Sequence, residues 1–276
     1  MHDPNTETIE QVSLGNLQYI QPKKGCRFGV DAVLLADFAR VKPSERLIDL
    51  GAGAGIISLL CAALSPAREI VGVELQERLA QIARRNVQMN HFEDRIRIVQ
   101  GDVKCVAQYF QAGEFDVLCA NPPYRKVGTG RISPNSEQAI ARHELACRLS
   151  DIAAAAKYLV KSGGKAFFIY LPERMSELFA ALREHQFEPK IMRCVHSTID
   201  APAALLLIEA RRDAAPGMRI LPPLALYEEE HVYSAEARQI LRTSPSHSPN
   251  PATECPANGS FTGHSRSLGD PREARP

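Results

Sequence analysis

The sequence predicts an α/β fold with a seven-stranded, mostly parallel sheet, helices on both faces and one antiparallel strand at the sheet edge. Short β-branched runs alternate with helix-length stretches along most of the chain. Each helix-length stretch can return the chain for a parallel neighbouring strand, and such crossovers are right-handed. The last two extended runs follow each other almost directly, which favours a hairpin with an antiparallel edge strand.

The elements can be placed in order along the chain. Strands are predicted at residues 46–50, 69–74, 95–99, 115–120, 165–170, 190–195 and 204–210. The segments between them predict helices, the clearest at residues 76–90, 136–159 and 172–185. Ser234 is the predicted N-cap of a last short helix that ends near Arg242.

Composition excludes several classes of protein. The 276 residues are 45% hydrophobic and 24% charged, as in ordinary globular proteins, and the formal net charge is +1. No run approaches the eighteen or so apolar residues of a membrane helix, and the first residues do not resemble a secretory signal, so we expect a cytoplasmic protein. The seven cysteines include no CxxC pair, which indicates reduced thiols and neither a disulfide framework nor a metal site.

The chain is expected to contain one domain. Residues 1–30 are an N-terminal segment, residues 31–242 carry the alternating elements, and residues 243–276 are rich in Ser, Pro, Gly and Asn. The last segment has too few large apolar residues to offset its ordering entropy and is predicted to be disordered.

A glycine loop directly follows the first strand of the predicted sheet. Asp49, Gly51, Ala52, Gly53 and Gly55 belong to a DLGAGAG run, in which glycines permit a sharp turn and the close approach of a ligand to the backbone. The spacing does not match the GxGxxG pattern of dinucleotide-binding proteins. It instead resembles the first motif of class I S-adenosylmethionine methyltransferases.

Acidic residues follow the next two strands. Glu74 ends the second strand at the same edge as the glycine loop, where a carboxylate can accept hydrogen bonds from both ribose hydroxyls of a nucleoside. Asp102 follows the third strand and is suited to accept from an adenine amino group. A tight turn and solvated strand-end acids are the simpler alternative for each feature taken alone.

The fourth strand ends in Asn121, Pro122, Pro123 and Tyr124. The lone pair of an exocyclic or amide nitrogen is delocalised, so such a nitrogen is a poor nucleophile. If the Asn121 side chain and the Pro122 carbonyl each accept one N–H, the nitrogen is drawn toward tetrahedral geometry and its lone pair faces the methyl donor. Prolines keep the acceptors in place and Tyr124 can stack on a planar group. These residues are therefore the predicted catalytic group.

These motifs together resemble the class I N-methyltransferases that carry an NPPY motif. Residues 19–36, 139–144 and 221–224 are further similar to the bacterial tRNA(Val) adenine-N6 methyltransferases, which methylate the adenine 3′ of the anticodon. The likeness covers about residues 10–242. It implies a Rossmann-like fold, S-adenosylmethionine as the cofactor and a tRNA substrate.

The resemblance also assigns site residues. It implies that the cofactor is held by Asp49, Gly51, Ala52, Gly53, Gly55, Glu74, Asp102 and Asn121. The turn from Arg27 to Asp31 would lie over the methionine end of the cofactor, although Asp31 could equally be a charge favoured at a helix N-terminus.

Local charge points to an RNA-binding rim. Residues 121–165 carry eight basic against three acidic side chains, an excess of +5. The residues expected to contact RNA are Lys23, Lys24, Arg27, Arg125, Lys126 and Arg131. No separate RNA-binding module is evident, so the target base would have to be presented unstacked or flipped out.

Other functions share part of this pattern. A protein glutamine N-methyltransferase also uses NPPY, but such enzymes usually carry a helical N-terminal domain. An rRNA guanine-N2 methyltransferase shares the same motif. A nucleotide-binding oxidoreductase or noncatalytic module is disfavoured by the absence of GxGxxG and by the presence of NPPY.

Overall fold

The computed structural model describes residues 3–24, 27–122, 148–229 and 232–242 of the chain. The strands are β1 (Glu7–Val12), β2 (Leu17–Pro22), β3 (Arg46–Leu50), β4 (Glu69–Glu74), β5 (Ile96–Gln100), β6 (Phe115–Ala120), β7 (Val160–Tyr170), β8 (Phe187–His196), β9 (Ala203–Arg212), β10 (Arg219–Ile220), β11 (Leu224–Ala225), β12 (Tyr227–Glu229) and β13 (Val232–Tyr233). The α-helices are α1 (Val30–Ala39), α2 (Ile56–Leu64), α3 (Glu77–Met89), α4 (Leu149–Leu159), α5 (Met175–Glu184) and α6 (Ala235–Leu241). Short 3₁₀ helices cover Leu14–Asn16, Val103–Gln108 and Pro172–Arg174.

The central sheet contains all seven strands that the sequence predicts. Its order is β10-β8-β9-β7-β6-β3-β4-β5, and β11 also pairs with β8. Strands β3 to β7 pair with one another in parallel. The prediction of a mostly parallel sheet is therefore confirmed, and two short strands, β10 and β11, extend it beyond β8.

The predicted position of the antiparallel strand is wrong. Strand β9 is antiparallel to both β7 and β8 and lies between them, not at the edge of the sheet. The physical reason is burial: residues 205–208 of β9 are apolar and buried on both faces, whereas β8 alternates between buried and half-exposed positions. A strand with two buried faces belongs in the interior of a sheet.

Helices cover both faces of the sheet, as predicted. One hydrophobic cluster joins the sheet to α1, α2 and α3, and a second joins the opposite face to α4 and α5. The sheet is therefore packed between two layers of helices. The first part of the predicted helix at 136–159 lies outside the described residues, as does the tail from residue 243.

An N-terminal hairpin, which the sequence did not predict, packs against this body. Strands β1 and β2 are antiparallel, and their buried side chains, including Leu17 and Ile20, join the same hydrophobic cluster as α1 and α3. This hairpin brings the segment before α1 to the site described below.

The last helix is as expected from the sequence, and the segment before it packs on the body of the protein. Leu224 and Leu226 are buried against the body, and the Ser234 hydroxyl accepts a hydrogen bond from the Ala237 N–H at 3.1 Å at the start of α6. Such an N-cap stabilises a helix by about 1 kcal/mol. Among the described helices, none is long and apolar enough to span a membrane.

Candidate active site

Four parallel strands end at one edge of the sheet and bring the predicted site residues together. Strand β3 lies between β4 and β6, so that Leu50 is level with Val73 and Ala120. Glu74 and Asn121 therefore flank the glycine loop that leaves β3. Open α/β sheets bind ligands at this carboxyl edge.

The glycine loop turns over the end of β4. The N–H groups of Gly51 and Ala52 both donate to the Val73 carbonyl at 2.9 Å. Gly51 and Gly53 have φ values of +75° and +58°, in the left-handed region. A Cβ atom at either position would contact no described atom within 4 Å. The loop therefore leaves space beside its backbone for a ligand.

Glu74 supports this loop directly. Its side chain is 6% exposed, and its two carboxylate oxygens accept from the Gly53 N–H and the Gln76 N–H, each at 2.8 Å. Each oxygen has a second lone pair available for another donor. Glu74 can thus hold the loop and accept a ligand hydroxyl together. Gln76 was not predicted, because its contribution comes from the backbone.

Asp49 is fully buried beneath the loop. Its Oδ2 accepts from the Ser58 hydroxyl at 2.8 Å, while Oδ1 has no hydrogen-bond partner in the described structure. Burial raises the pKa of Asp49 to about 7, despite the hydrogen bonds from Ser58, and the charge of Glu74 adds to the increase. An unpaired buried acceptor is costly unless a ligand supplies a donor.

The raised pKa of Asp49 predicts a loss of stability with rising pH. The unfolded chain ionises Asp49 near the ordinary pKa of 3.8, whereas the folded chain holds the proton up to about 7. The stability that protonated Asp49 contributes is fully present below the unfolded pKa of 3.8 and is lost as pH rises to the folded pKa of about 7. The free energy of unfolding falls by at most about 1.4 kcal/mol per pH unit in this range. Wild type should therefore lose stability between about pH 5 and about pH 6.5 and Asp49→Asn should not lose this contribution. The free energy of unfolding of the variant minus that of wild type, measured with urea, should rise over this range.

Asp116 provides the matched control for this experiment. Burial favours a higher pKa for Asp116, but hydrogen bonds from Lys161 and the Arg46 backbone outweigh it and lower the pKa. Both folded and unfolded chains then carry Asp116 ionised over the same pH range, so Asp116→Asn should keep the wild-type slope. Parallel pH profiles for wild type and Asp49→Asn would contradict the assignment of a buried, protonated Asp49.

Asp102 caps the short helix at Val103–Gln108. Its Oδ1 accepts from the Lys104 N–H at 2.9 Å, and its Oδ2 lies 3.7 Å from Lys104 Nζ. The side chain is half-exposed at the carboxyl end of β5. It therefore has the capping role of a strand-end acid, and its contact with an adenine remains a prediction.

Asn121 lies beside Asp31, which comes from the start of α1. The Asn121 Nδ2 donates to Asp31 Oδ2 at 2.8 Å, and the buried Asn121 Oδ1 has no hydrogen-bond partner in the part of the chain that the structure describes. Pro122 is buried next to it. Pro123 and Tyr124 lie outside the described residues, so the structure gives only the first half of the predicted catalytic group.

The predicted RNA-binding residues are only partly described. Lys23 and Lys24 are exposed, and Lys23 Nζ donates to the Pro4 carbonyl at 2.6 Å. Arg27 forms an ion pair with Glu10 of the hairpin, so its charge is partly neutralised within the protein. Three further predicted residues lie outside the described part of the chain: Arg125, Lys126 and Arg131.

Asn86 of α3 supports the site and was not predicted from the sequence. It is fully buried, and its amide bonds both the Ile20 N–H and the Ile20 carbonyl, at 2.7 and 2.8 Å. Its Nδ2 also donates to the Ala54 carbonyl in the glycine loop at 2.9 Å. Asn86 thus ties the hairpin to the loop. An asparagine among the apolar positions of an amphipathic helix is the signal that could have indicated it.

The described residues fit a ligand that brings hydrogen-bond donors. Two buried acceptors, Asp49 Oδ1 and Asn121 Oδ1, have no described partner, and the glycine loop leaves space beside Gly51 and Gly53. A carboxylate suited to hydroxyl groups, that of Glu74, ends β4, the strand next to β3. In the described ranges no group of three or more His, Cys, Asp or Glu is arranged to hold a metal ion.

Comparisons with known proteins identify the family of this chain. The family model for the methyltransferase small domain matches residues 28–171. A tRNA1(Val) (adenine(37)-N6)-methyltransferase from Yersinia pseudotuberculosis is 31% identical over 219 residues, covering 78% of this chain and 84% of the relative. The protein of the same name from Aliivibrio salmonicida is 27% identical over 185 residues, covering 67% and 77%.

The fold is also that of solved methyltransferases. The structure of a predicted O-methyltransferase from Agrobacterium tumefaciens superposes with a TM-score of 0.63 at 23% identity, covering 77% of this chain and 95% of that one. At this identity the likeness shows the fold alone. With the family model and the relatives, the chain belongs to the methyltransferase small-domain family and, within it, to the tRNA1(Val) (adenine(37)-N6)-methyltransferases, which use S-adenosylmethionine.

Proposed function

We propose that this chain methylates N6 of adenine in the anticodon loop of a tRNA, at the position 3′ of the anticodon. The observation that carries the proposal is the buried, unpartnered Oδ1 of Asn121 beside the glycine loop. The relatives named above support the choice of nucleobase and RNA. A tRNA substrate also implies the cytoplasm as the site of the reaction.

The site residues divide into a cofactor group and a target group. When bound, S-adenosylmethionine supplies an electrophilic methyl group on a sulfonium, which leaves as a neutral thioether. Glu74 would accept the ribose hydroxyls and Asp102 the adenine amino group. Asp49 and the glycine loop would hold the methionine end, where Oδ1 of Asp49 offers an acceptor to a donor of the cofactor.

Asn121 acts on the nitrogen that receives the methyl group. Its Oδ1 accepts one N–H of the adenine amine, and the Pro122 carbonyl is expected to accept the other. These contacts reduce delocalisation of the lone pair into the ring and direct it at the methyl group. Because the sulfonium is a strong electrophile, alignment supplies most of the rate and no strong general base is needed. The amine becomes positively charged as the methyl group is transferred, and it then loses one proton to water.

The substrate class can be tested with the full-length protein and labelled S-adenosylmethionine. Incubation with bulk small RNA, followed by digestion to nucleosides, should give labelled N6-methyladenosine. Label in guanine N2 would favour the rRNA-type activity. Label in protein as methylglutamine, with none in RNA, would reject the proposal. Asn121→Ala is the control that ties the label to this site.

The basic rim predicts how RNA binding depends on salt. A lysine that contacts a phosphate releases counterions, so the affinity for RNA should fall steeply with added salt. Lys24→Ala and Lys126→Ala should each flatten the log–log slope by about one unit, as measured by fluorescence anisotropy. Lys42 is the matched control, because it is exposed just before β3, at the opposite edge of the sheet. If none of the three variants, Lys24→Ala, Lys126→Ala and Lys42→Ala, changes the slope, the basic rim does not bind the RNA.

A further inference from the structure

We propose that Asp31 is a positioning residue whose carboxylate holds the Asn121 amide in the one orientation that presents Oδ1 to the adenine amine. The inference rests on the proposed function, because it assumes that a target amine lies against Asn121. It assigns Asp31 to the target side of the site instead of the methionine end of the cofactor.

The chemistry of the two side chains fixes the orientation. An asparagine amide has an accepting end, Oδ1, and a donating end, Nδ2, whereas an ionised carboxylate only accepts. The end of Asn121 that lies 2.8 Å from Asp31 Oδ2 must therefore be Nδ2. Turning the amide over would bring two oxygens together. Oδ1 is consequently left facing away, buried and without a described partner.

Asp31 is itself held in place. It is 7% exposed in the first turn of α1, and its Oδ1 accepts from the Ala32 N–H at 2.9 Å. A negative charge is favoured at a helix N-terminus. One carboxylate oxygen is thus bonded to the backbone of α1 while the other contacts Asn121. The start of α1 therefore holds the Asn121 side chain in position at the end of β6.

The orientation matters because the target nitrogen is a donor. With Oδ1 forward, Asn121 accepts an N–H from the adenine amine. With the amide reversed, its NH₂ group would face the N–H bonds of the amine, and neither could accept from the other. Loss of Asp31 should therefore reduce the methyl-transfer rate without removing a ligand of the cofactor.

Kinetics separate this role from direct cofactor binding. In Asp31→Ala, kcat at saturating cofactor and RNA should fall by about tenfold to a hundredfold. This is the decrease expected from the loss of one charge-assisted hydrogen bond. Affinity for S-adenosylmethionine, from calorimetry, should stay within about twofold. Asp37→Ala, on the same helix but away from the site, should keep the wild-type kcat. Weaker cofactor binding with an unchanged kcat would overturn the proposal.

A reversed pair tests the contact itself. Asn121→Asp alone sets two carboxylates against each other and should be nearly inactive. Combining it with Asp31→Asn restores one donor and one acceptor and still leaves an oxygen at position 121 for the amine. The double variant should be at least about tenfold more active than Asn121→Asp. If the activity lost in the double variant equals the product of the losses in the two single variants, the two side chains do not act together, which would contradict the proposal.

NMR of the Asn121 side-chain amide tests the contact with Asp31 without any methyl transfer. The side-chain amide resonance of Asn121 in ¹⁵N-labelled protein, assigned by its loss in Asn121→Ala, should move in Asp31→Ala and Asp31→Asn but not in Asp37→Ala. Asp31→Asn leaves a single oxygen for the two described donors, the Ala32 N–H and Asn121 Nδ2, so this variant keeps the shape and loses one bond. An Asn121 resonance unmoved by either change would overturn the inference, whereas absence of N6-methyladenosine with wild type would overturn the function alone.

Discussion

Replacing Asn121 with alanine should lower the rate of methyl transfer to RNA by at least about two orders of magnitude. The variant removes the acceptor that orients the adenine amine, and no other described side chain at the end of β6 has a buried acceptor without a partner. Single-turnover measurements with saturating RNA report this step directly.

Cofactor affinity is the internal control for this variant. Asn121→Ala should bind S-adenosylmethionine nearly as wild type does, because the main predicted cofactor contacts come from the glycine loop and from Glu74. A near-normal single-turnover rate would show that Asn121 does not orient the adenine amine. A collapse of cofactor binding would instead place Asn121 among the cofactor ligands.

Glu74→Ala should weaken S-adenosylmethionine binding by about 1 to 3 kcal/mol, which is roughly fivefold to more than a hundredfold. The change removes the acceptor for the ribose hydroxyls and also the brace on the Gly53 N–H, a 2.8 Å contact. Both losses act on the same ligand, so the effect should be large in calorimetric titrations.

Two further variants separate these contributions. Glu74→Gln keeps an oxygen that can accept from Gly53 and should retain part of the affinity. Glu77, exposed in the first turn of α3, is the matched control, and Glu77→Ala should bind the cofactor as wild type does. Unchanged affinity in Glu74→Ala would show that the ribose site is elsewhere.

The parts of the fold that depend on local pattern could be predicted from the sequence. Alternating strands and helices identified β3 to β9, and Ser234 identified the cap of α6, because hydrophobic periodicity and capping act over a few residues. The position of Glu74 beside the glycine loop also followed, because parallel strands end at a common edge.

Features that depend on distant residues could not be predicted in this way. The hairpin β1–β2 is held in part by Asn86, which is 66 residues away from its partner Ile20. The contact between Asn121 and Asp31 joins residues 90 positions apart. Such pairs leave no local periodicity. The place of β9 was different, since its two-sided burial could be recognised in its continuous apolar run.

Methyl transfer can be measured with two unmodified tRNA(Val) transcripts that differ only at the adenine in the names of the relatives, adenine 37. With the full-length protein and labelled S-adenosylmethionine, the transcript with adenine should take up label as N6-methyladenosine. The transcript with guanine at that position should take up none. Equal labelling of both transcripts, or labelling of neither, would exclude methylation of adenine 37 by this enzyme.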